Sequence, residues 1–78
     1  NTLIVHNQDV PGHVAAVTAA LMQRHVNIAT MQLYRNEQGG YAVMVLECDQ
    51  PIPTDLEQFL SHIEGIRKIT VFNQEGVL

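Results

Sequence analysis

The sequence predicts an α+β sandwich: four antiparallel strands backed on one face by two helices, in the order β-α-β-β-α-β. Three observations carry this. Four short runs are rich in β-branched and apolar residues, two stretches between them have helical spacing, and a Gly-Gly pair separates the second run from the third. Runs of this length and alternation are strand signals, the i, i+3, i+4 spacing is a helix signal, and paired glycines supply the positive φ that a hairpin turn needs.

Residues 2–7, TLIVHN, form the first strand, buried on at least one face. From Pro11 the period changes. Val14, Val17, Leu21 and His25 fall on one stripe, with Ala15, Ala16, Ala19 and Ala20 around it as good helix formers, so a helix is expected from about Pro11 to His25. Residues 27–37 alternate, sending Ala29, Met31 and Leu33 to one side and Ile28, Thr30, Gln32 and Tyr34 to the other, as in a strand with one wetter face. QGG makes the turn, and residues 41–48, YAVMVLEC, are continuous enough in apolar character to be a central strand. Two prolines bar pairing in DQPIPT. Thr54 and Glu57 have the spacing of a capping box for a second helix, whose buried stripe would be Leu56, Phe59, Leu60 and Ile63. Gly65 ends it, and residues 66–73 are the last strand.

This order is the split βαβ, or ferredoxin-like, arrangement. Right-handed crossovers place strands one and three in the middle, strands two and four at the edges, and both helices on one face. The other face stays uncovered, wetted in part by Thr30, Gln32, Arg35, Lys68 and Thr70. Open edges of this kind invite pairing with a second copy or docking onto a larger protein.

At 78 residues the chain is one domain or part of one, and its start at Asn1, directly in strand-like sequence, raises the expectation of a piece excised from a longer enzyme. A composition of 46% hydrophobic and 15% charged residues is that of a globular chain. The net charge of −4 with four Lys and Arg argues against nucleic acid as a partner. No apolar run approaches the roughly 20 residues that span a bilayer, so no membrane is expected and a cytoplasmic setting is the default. Cys48 is the single cysteine and sits in an apolar run. It excludes an internal disulfide and cannot alone hold zinc or an iron–sulfur cluster, and it is expected to be a buried core thiol.

His6, His13, His25 and His62 have no ligand spacing with one another or with a carboxylate, and no nucleophile stands paired with a base, so no catalytic and no metal residues are assigned. His25 and His62 fall near helix C-termini, where the dipole and C-capping account for them. HNQDVPGHV, residues 6–14, is different. It joins a strand to a helix N-terminus, where unpaired N–H groups and the dipole attract a carboxylate. Gly12 leaves that backbone open, Pro11 suits a first turn, and Asn7 and Asp9 add acceptors, Asp9 with a charge suited to an ammonium group. Two readings stand. Either the junction is a site for a small zwitterion, or Asp9 caps the helix and Pro-Gly shapes the turn. Asn27 likewise fits a simple turn in a left-handed conformation.

The stretch NQDVPGHVAAVTAALMQRHVNIATM resembles the ACT domain, a small-molecule regulatory module of amino-acid metabolism. The resemblance extends over essentially the whole chain. HNQDVPGHVAAVT, HVNIATM and GGYAVMVLECDQPI look most like the C-terminal ACT domain of the β subunit of iron–sulfur L-serine dehydratases, with the serine-binding domain of D-3-phosphoglycerate dehydrogenase as the alternative. The resemblance implies a homodimer through ACT domains, with L-serine or another small amino acid bound between them. Asn7 and Asp9 would contact the ligand, the loop backbone at Pro11, Gly12, His13 and Val14 would meet its carboxylate, and Asn27 with Ile28 would reach in from the partner. Some serine-binding relatives carry His at position 7 and Asn at position 9. For the parent, the resemblance implies a [4Fe–4S] cluster acting on the serine hydroxyl to give pyruvate and ammonia, held by a catalytic domain or α subunit outside this segment. A domain that only dimerises is the remaining alternative.

Overall fold

A computed structural model describes residues 1–9, 12–36 and 40–73. Six elements follow the predicted order: β1 (Thr2–Gln8), α1 (His13–Gln23), β2 (Ile28–Asn36), β3 (Tyr41–Cys48), α2 (Thr54–Ser61) and β4 (Ile66–Phe72). The strands form one antiparallel sheet in the order β2-β3-β1-β4, so β1 and β3 are central and β2 and β4 are the edges.

Alternation along the central strands builds the core. Leu3 and Val5 of β1 and Met44, Leu46 and Cys48 of β3 are buried, and they meet Val17, Ala20 and Leu21 of α1 and Leu56 and Leu60 of α2 on one face. Small Ala20 lets α1 pack closely, and burying each large aliphatic side chain contributes about 1.5–3 kcal/mol. Cys48 is the expected core thiol, and burial pushes its pKa up. Among the described residues no helix is long and apolar enough to cross a membrane.

Several local expectations need correction. α1 ends at Gln23, and His25 lies beyond it, exposed, at φ 61°. The Val26 N–H returns to the Leu21 carbonyl at 3.0 Å, so His25 rather than Asn27 takes the left-handed position that closes the helix. α2 has no capping box: Thr54 is already inside the helix, behind Pro53, and no side chain caps it. Phe59 is half exposed rather than part of the buried stripe, with the Arg24 guanidinium 5.1 Å from its ring centroid. His62 does act at its helix end, its Nδ1 lying 2.7 Å from the Gln58 carbonyl. The predicted start of the first helix at Pro11 and the Gln38-Gly39 part of the turn lie outside the described residues, while Gly40 has the positive φ expected, 69°.

In β2 the register decides which side each residue takes. It shifts between Ile28 and Thr30, so Ile28 pairs with buried Cys48 and packs against the core, contrary to simple alternation. Beyond the shift, Met31, Leu33 and Arg35 stand opposite Leu46, Met44 and Ala42, on the helix side. Arg35 therefore does not wet the uncovered face; Thr30, Gln32, Lys68 and Thr70 do, beside Glu47, Val45, His6 and Ile4.

Candidate functional site

The junction between β1 and α1 forms one wall of a cleft of about 360 Å³, lined by Asn7, Asp9, Gly12, His13, Val14, Leu33, Arg35 and Ala42. Gly12 precedes α1 at φ 97°; among the described residues no side chain caps its first turn, and that turn holds no acidic residue. The first intrahelical bond runs from the Ala16 N–H to the Gly12 carbonyl at 2.9 Å, so the amides of His13, Val14 and Ala15 have no intrahelical acceptor. Asp9 is thus not the helix cap. Its N–H donates to the Gly40 carbonyl at 2.6 Å, and its carboxylate lies 3.3 Å from Arg35 Nε.

Asn7 sits under this end of the helix, 3% exposed. Its Nδ2 donates to the Gln8 carbonyl at 2.8 Å and lies 3.2 Å from His13 Nδ1, while its Oδ1 is buried with no hydrogen-bond partner among the described residues. A buried amide oxygen left unpaired costs about 1–3 kcal/mol, so a donor brought to Asn7 Oδ1 has a favourable place to bind.

His13 turns its ring inward, with Nε2 2.9 Å from the Glu64 carbonyl and Nδ1 2.8 Å from the Gln8 carbonyl. Each ring nitrogen faces a carbonyl to which it donates when it carries the proton, and an unprotonated Nδ1 accepts instead from Asn7 Nδ2. The Gln8 N–H adds a bond to the Gly65 carbonyl at 2.8 Å, so the loop is knotted to the turn before β4. Gly65 makes this possible: its φ is 93°, and a Cβ there would sit 2.5 Å from His13 Cε1. The contribution of His13 to the cleft is therefore its backbone.

Of the residues expected in the site, Asn7, Asp9, Gly12, His13 and Val14 come together; Pro11 lies outside the described residues. Asn27 and Ile28 do not join them. They line a separate hollow of about 380 Å³ with Ala15, Thr18, Ala19, Met22 and Val26. Asn27 is fixed there by Nδ2 donating to Asp49 Oδ2 at 2.7 Å and by its N–H donating to Gln50 Oε1 at 2.6 Å. The 11 residues of α1, about 16 Å of helix, lie between the cleft at its start and Asn27 beyond its end. Sequence reading missed Arg35, Ala42 and Gly65. Strict alternation from Met31 and Leu33 would have brought Arg35 to the helix side; Gly65 signals only a helix stop, and nothing marks Ala42. On the opposite sheet face, His6, Tyr34, Tyr41, Val43 and Arg67 border a hollow of about 280 Å³, with Arg67 stacked 4.3 Å over the Tyr41 ring. Among the described residues no three His, Cys, Asp or Glu side chains are grouped to hold a metal ion.

Residues 1–64 match the family model of the ACT domain. The chain belongs to the ACT domain family. Relatives of this ACT domain include D-3-phosphoglycerate dehydrogenase of Methanocaldococcus jannaschii, 34% identical over 90% of the chain and 13% of the relative. They also include the probable L-serine dehydratase β chain of Bacillus subtilis, 34% identical over 87% of the chain and 30% of the relative. The ACT domain described here thus spans less than a third of either protein. Among solved structures, a formyltetrahydrofolate deformylase from Pseudomonas putida superposes with a TM-score of 0.74 at 18% identity, over 90% of this chain and 28% of that one. The ACT domain of a GTP pyrophosphokinase from Chlorobium tepidum does so at 0.60 and 18% identity, over 91% and 94%. At that identity these two likenesses bear on the fold.

Proposed function

We propose that this ACT domain senses L-serine, or another small amino acid, at the N-terminus of α1 and regulates an L-serine dehydratase of which it is part. The observation that carries the reading is the start of α1, without a side-chain cap, opening on a cleft that also holds Asp9 and Asn7, whose buried Oδ1 has no partner among the described residues. The amides of His13 and Val14, which have no intrahelical acceptor, receive a carboxylate, and the Asp9 carboxylate receives an ammonium group.

The site is completed by a second copy. β2 is an edge strand, and Met31 and Leu33 on it and Met22 on α1 are exposed, an apolar strip beside unpaired backbone. When two β2 strands pair antiparallel, the start of one lies beside the end of the other. Asn27 of the partner then approaches the end of β2 that carries Arg35, next to Asp9, which accounts for the separation of the two groups of residues within one chain. Ligand binding between copies favours one arrangement of the parent in proportion to its differential affinity for the two, here toward activation. In such a dehydratase parent, a [4Fe–4S] cluster would supply the Lewis acid for removing the serine hydroxyl. Its ligands belong elsewhere, because the single thiol of this chain is buried in the core.

Three phosphoglycerate dehydrogenases among the relatives, 30–35% identical, favour a second reading in which the same site regulates that enzyme. The parent reading frame decides between them: cysteines at cluster spacing point to the dehydratase, a dinucleotide-binding fingerprint upstream to the dehydrogenase. The sensing itself is tested by melting the chain with and without L-serine. A rise that Asp9→Ala abolishes while the dimer persists supports sensing; the absence of any rise with the wild-type chain leaves a dimerisation module.

A further inference from the structure

We propose that Arg35 and Asp9 form an exchangeable ion pair that fixes the pose of the ligand and admits molecules carrying both charges, with Arg35 receiving the carboxylate and Asp9 the ammonium. This rests on the reading of the cleft as an amino-acid site and adds to it a residue, an orientation and a rule of selection.

The position of Arg35 follows from register. Arg35 of β2 and Asn7 of β1 both pair with Ala42 of β3, so the three form one row across the helix side of the sheet. Ala42, in the middle, offers a methyl group only, which keeps the floor of the cleft low. Arg35 and Asp9 meet at 3.3 Å with side chains 66% and 30% exposed. A pair this exposed is worth little, so its partners can be exchanged without cost to the fold. The other cations are committed elsewhere. Arg24 is on Asp55 at 2.8 Å, Arg67 is stacked on Tyr41, and Lys68 stands opposite His6 on the far face of the sheet.

Charge then decides what enters. The start of α1 contributes about half a positive charge, to which Arg35 adds one and Asp9 subtracts one. A carboxylic acid without an amine meets Asp9 and must displace it from Arg35 with nothing in return. An amine without a carboxylate meets the guanidinium and the helix dipole. An α-amino acid replaces each member of the pair with a group of the same sign, its carboxylate held between the α1 amides and the guanidinium fork. The reversed pose would set carboxylate against carboxylate at Asp9.

The test is a calorimetric titration of the chain with L-serine, glycerate (hydroxyl in place of amine) and ethanolamine (no carboxylate), repeated on Arg35→Met, Arg35→Lys and Asp9→Asn. Arg35→Met is expected to weaken L-serine by about 10- to 100-fold, the worth of one charged hydrogen-bonded contact, and Arg35→Lys by less. Relative to L-serine, ethanolamine gains in Arg35→Met and glycerate gains in Asp9→Asn, a crossed pattern that a merely structural role would not produce. A wild-type chain that binds L-serine, with Arg35→Met binding it equally well, overturns the role of Arg35 and leaves the amino-acid site standing. A wild-type chain that binds neither L-serine nor other small amino acids at millimolar concentration overturns both.

Discussion

α1 begins behind Gly12 with a bare first turn, whereas α2 begins behind Pro53 with Asp55 and Glu57 inside its first turn. Neither helix has a side-chain cap, yet α2 carries its own counter-charge and α1 does not. Carboxylates in a first turn stabilise a helix by about 0.3–1 kcal/mol each. A chain of 78 residues has a small stability margin, so an end left without that help is informative. The sheet and α2 are arranged for stability. The start of α1 has no counter-charge in its own first turn, and the His13 knot ties the adjoining loop to the turn before β4.

Breaking the knot should have the largest effect. Gly65→Ala forces a side chain into a left-handed position and against the His13 ring, and a loss of about 2–4 kcal/mol is expected by chemical denaturation, together with weaker L-serine binding. Giving α1 what α2 has should uncouple stability from binding. Ala15→Glu places a carboxylate in the first turn of α1, raising stability by about 0.3–1 kcal/mol while lowering L-serine affinity several-fold through repulsion. Removing the charges from α2 by Asp55→Asn with Glu57→Gln should cost about 0.5–1 kcal/mol, including the exposed Arg24 ion pair, and leave L-serine binding unchanged. The smallest effect near neutral pH concerns neither helix end. Burial raises the Cys48 pKa, so the folded state favours the neutral thiol. The stability this provides is complete below the ordinary thiol range of about 8–9 and is lost as pH rises through the raised value. A stability–pH profile should therefore fall on the alkaline side, and fall less in Cys48→Ala.

The order and placement of the elements were legible because apolar runs, alternation and glycines act locally, and each pointed to the same sandwich. The polar run at residues 6–14 was legible as a helix start with exposed backbone. What local pattern does not hold is where side chains go once strands pair. The register shift beside Ala29 returns Ile28 to the core, and Arg35 reaches Asp9 because both Arg35 and Asn7 pair with Ala42. The inward turn of His13 depends on Glu64, 51 residues away, a contact that no short-range spacing encodes. Thr54 and Glu57 satisfied the capping-box spacing, but Pro53, at φ −67° and ψ 147°, already occupies the cap position, so the helix starts one residue earlier than that motif needs.

The central claim, that the bare start of α1 is the amino-acid site, is tested most directly by following backbone amide resonances during an L-serine titration. Saturable shifts of Gly12, His13 and Val14, with Thr54, Asp55 and Leu56 of α2 unmoved, are the predicted result. Millimolar L-serine that moves neither set, or moves both alike, would contradict it.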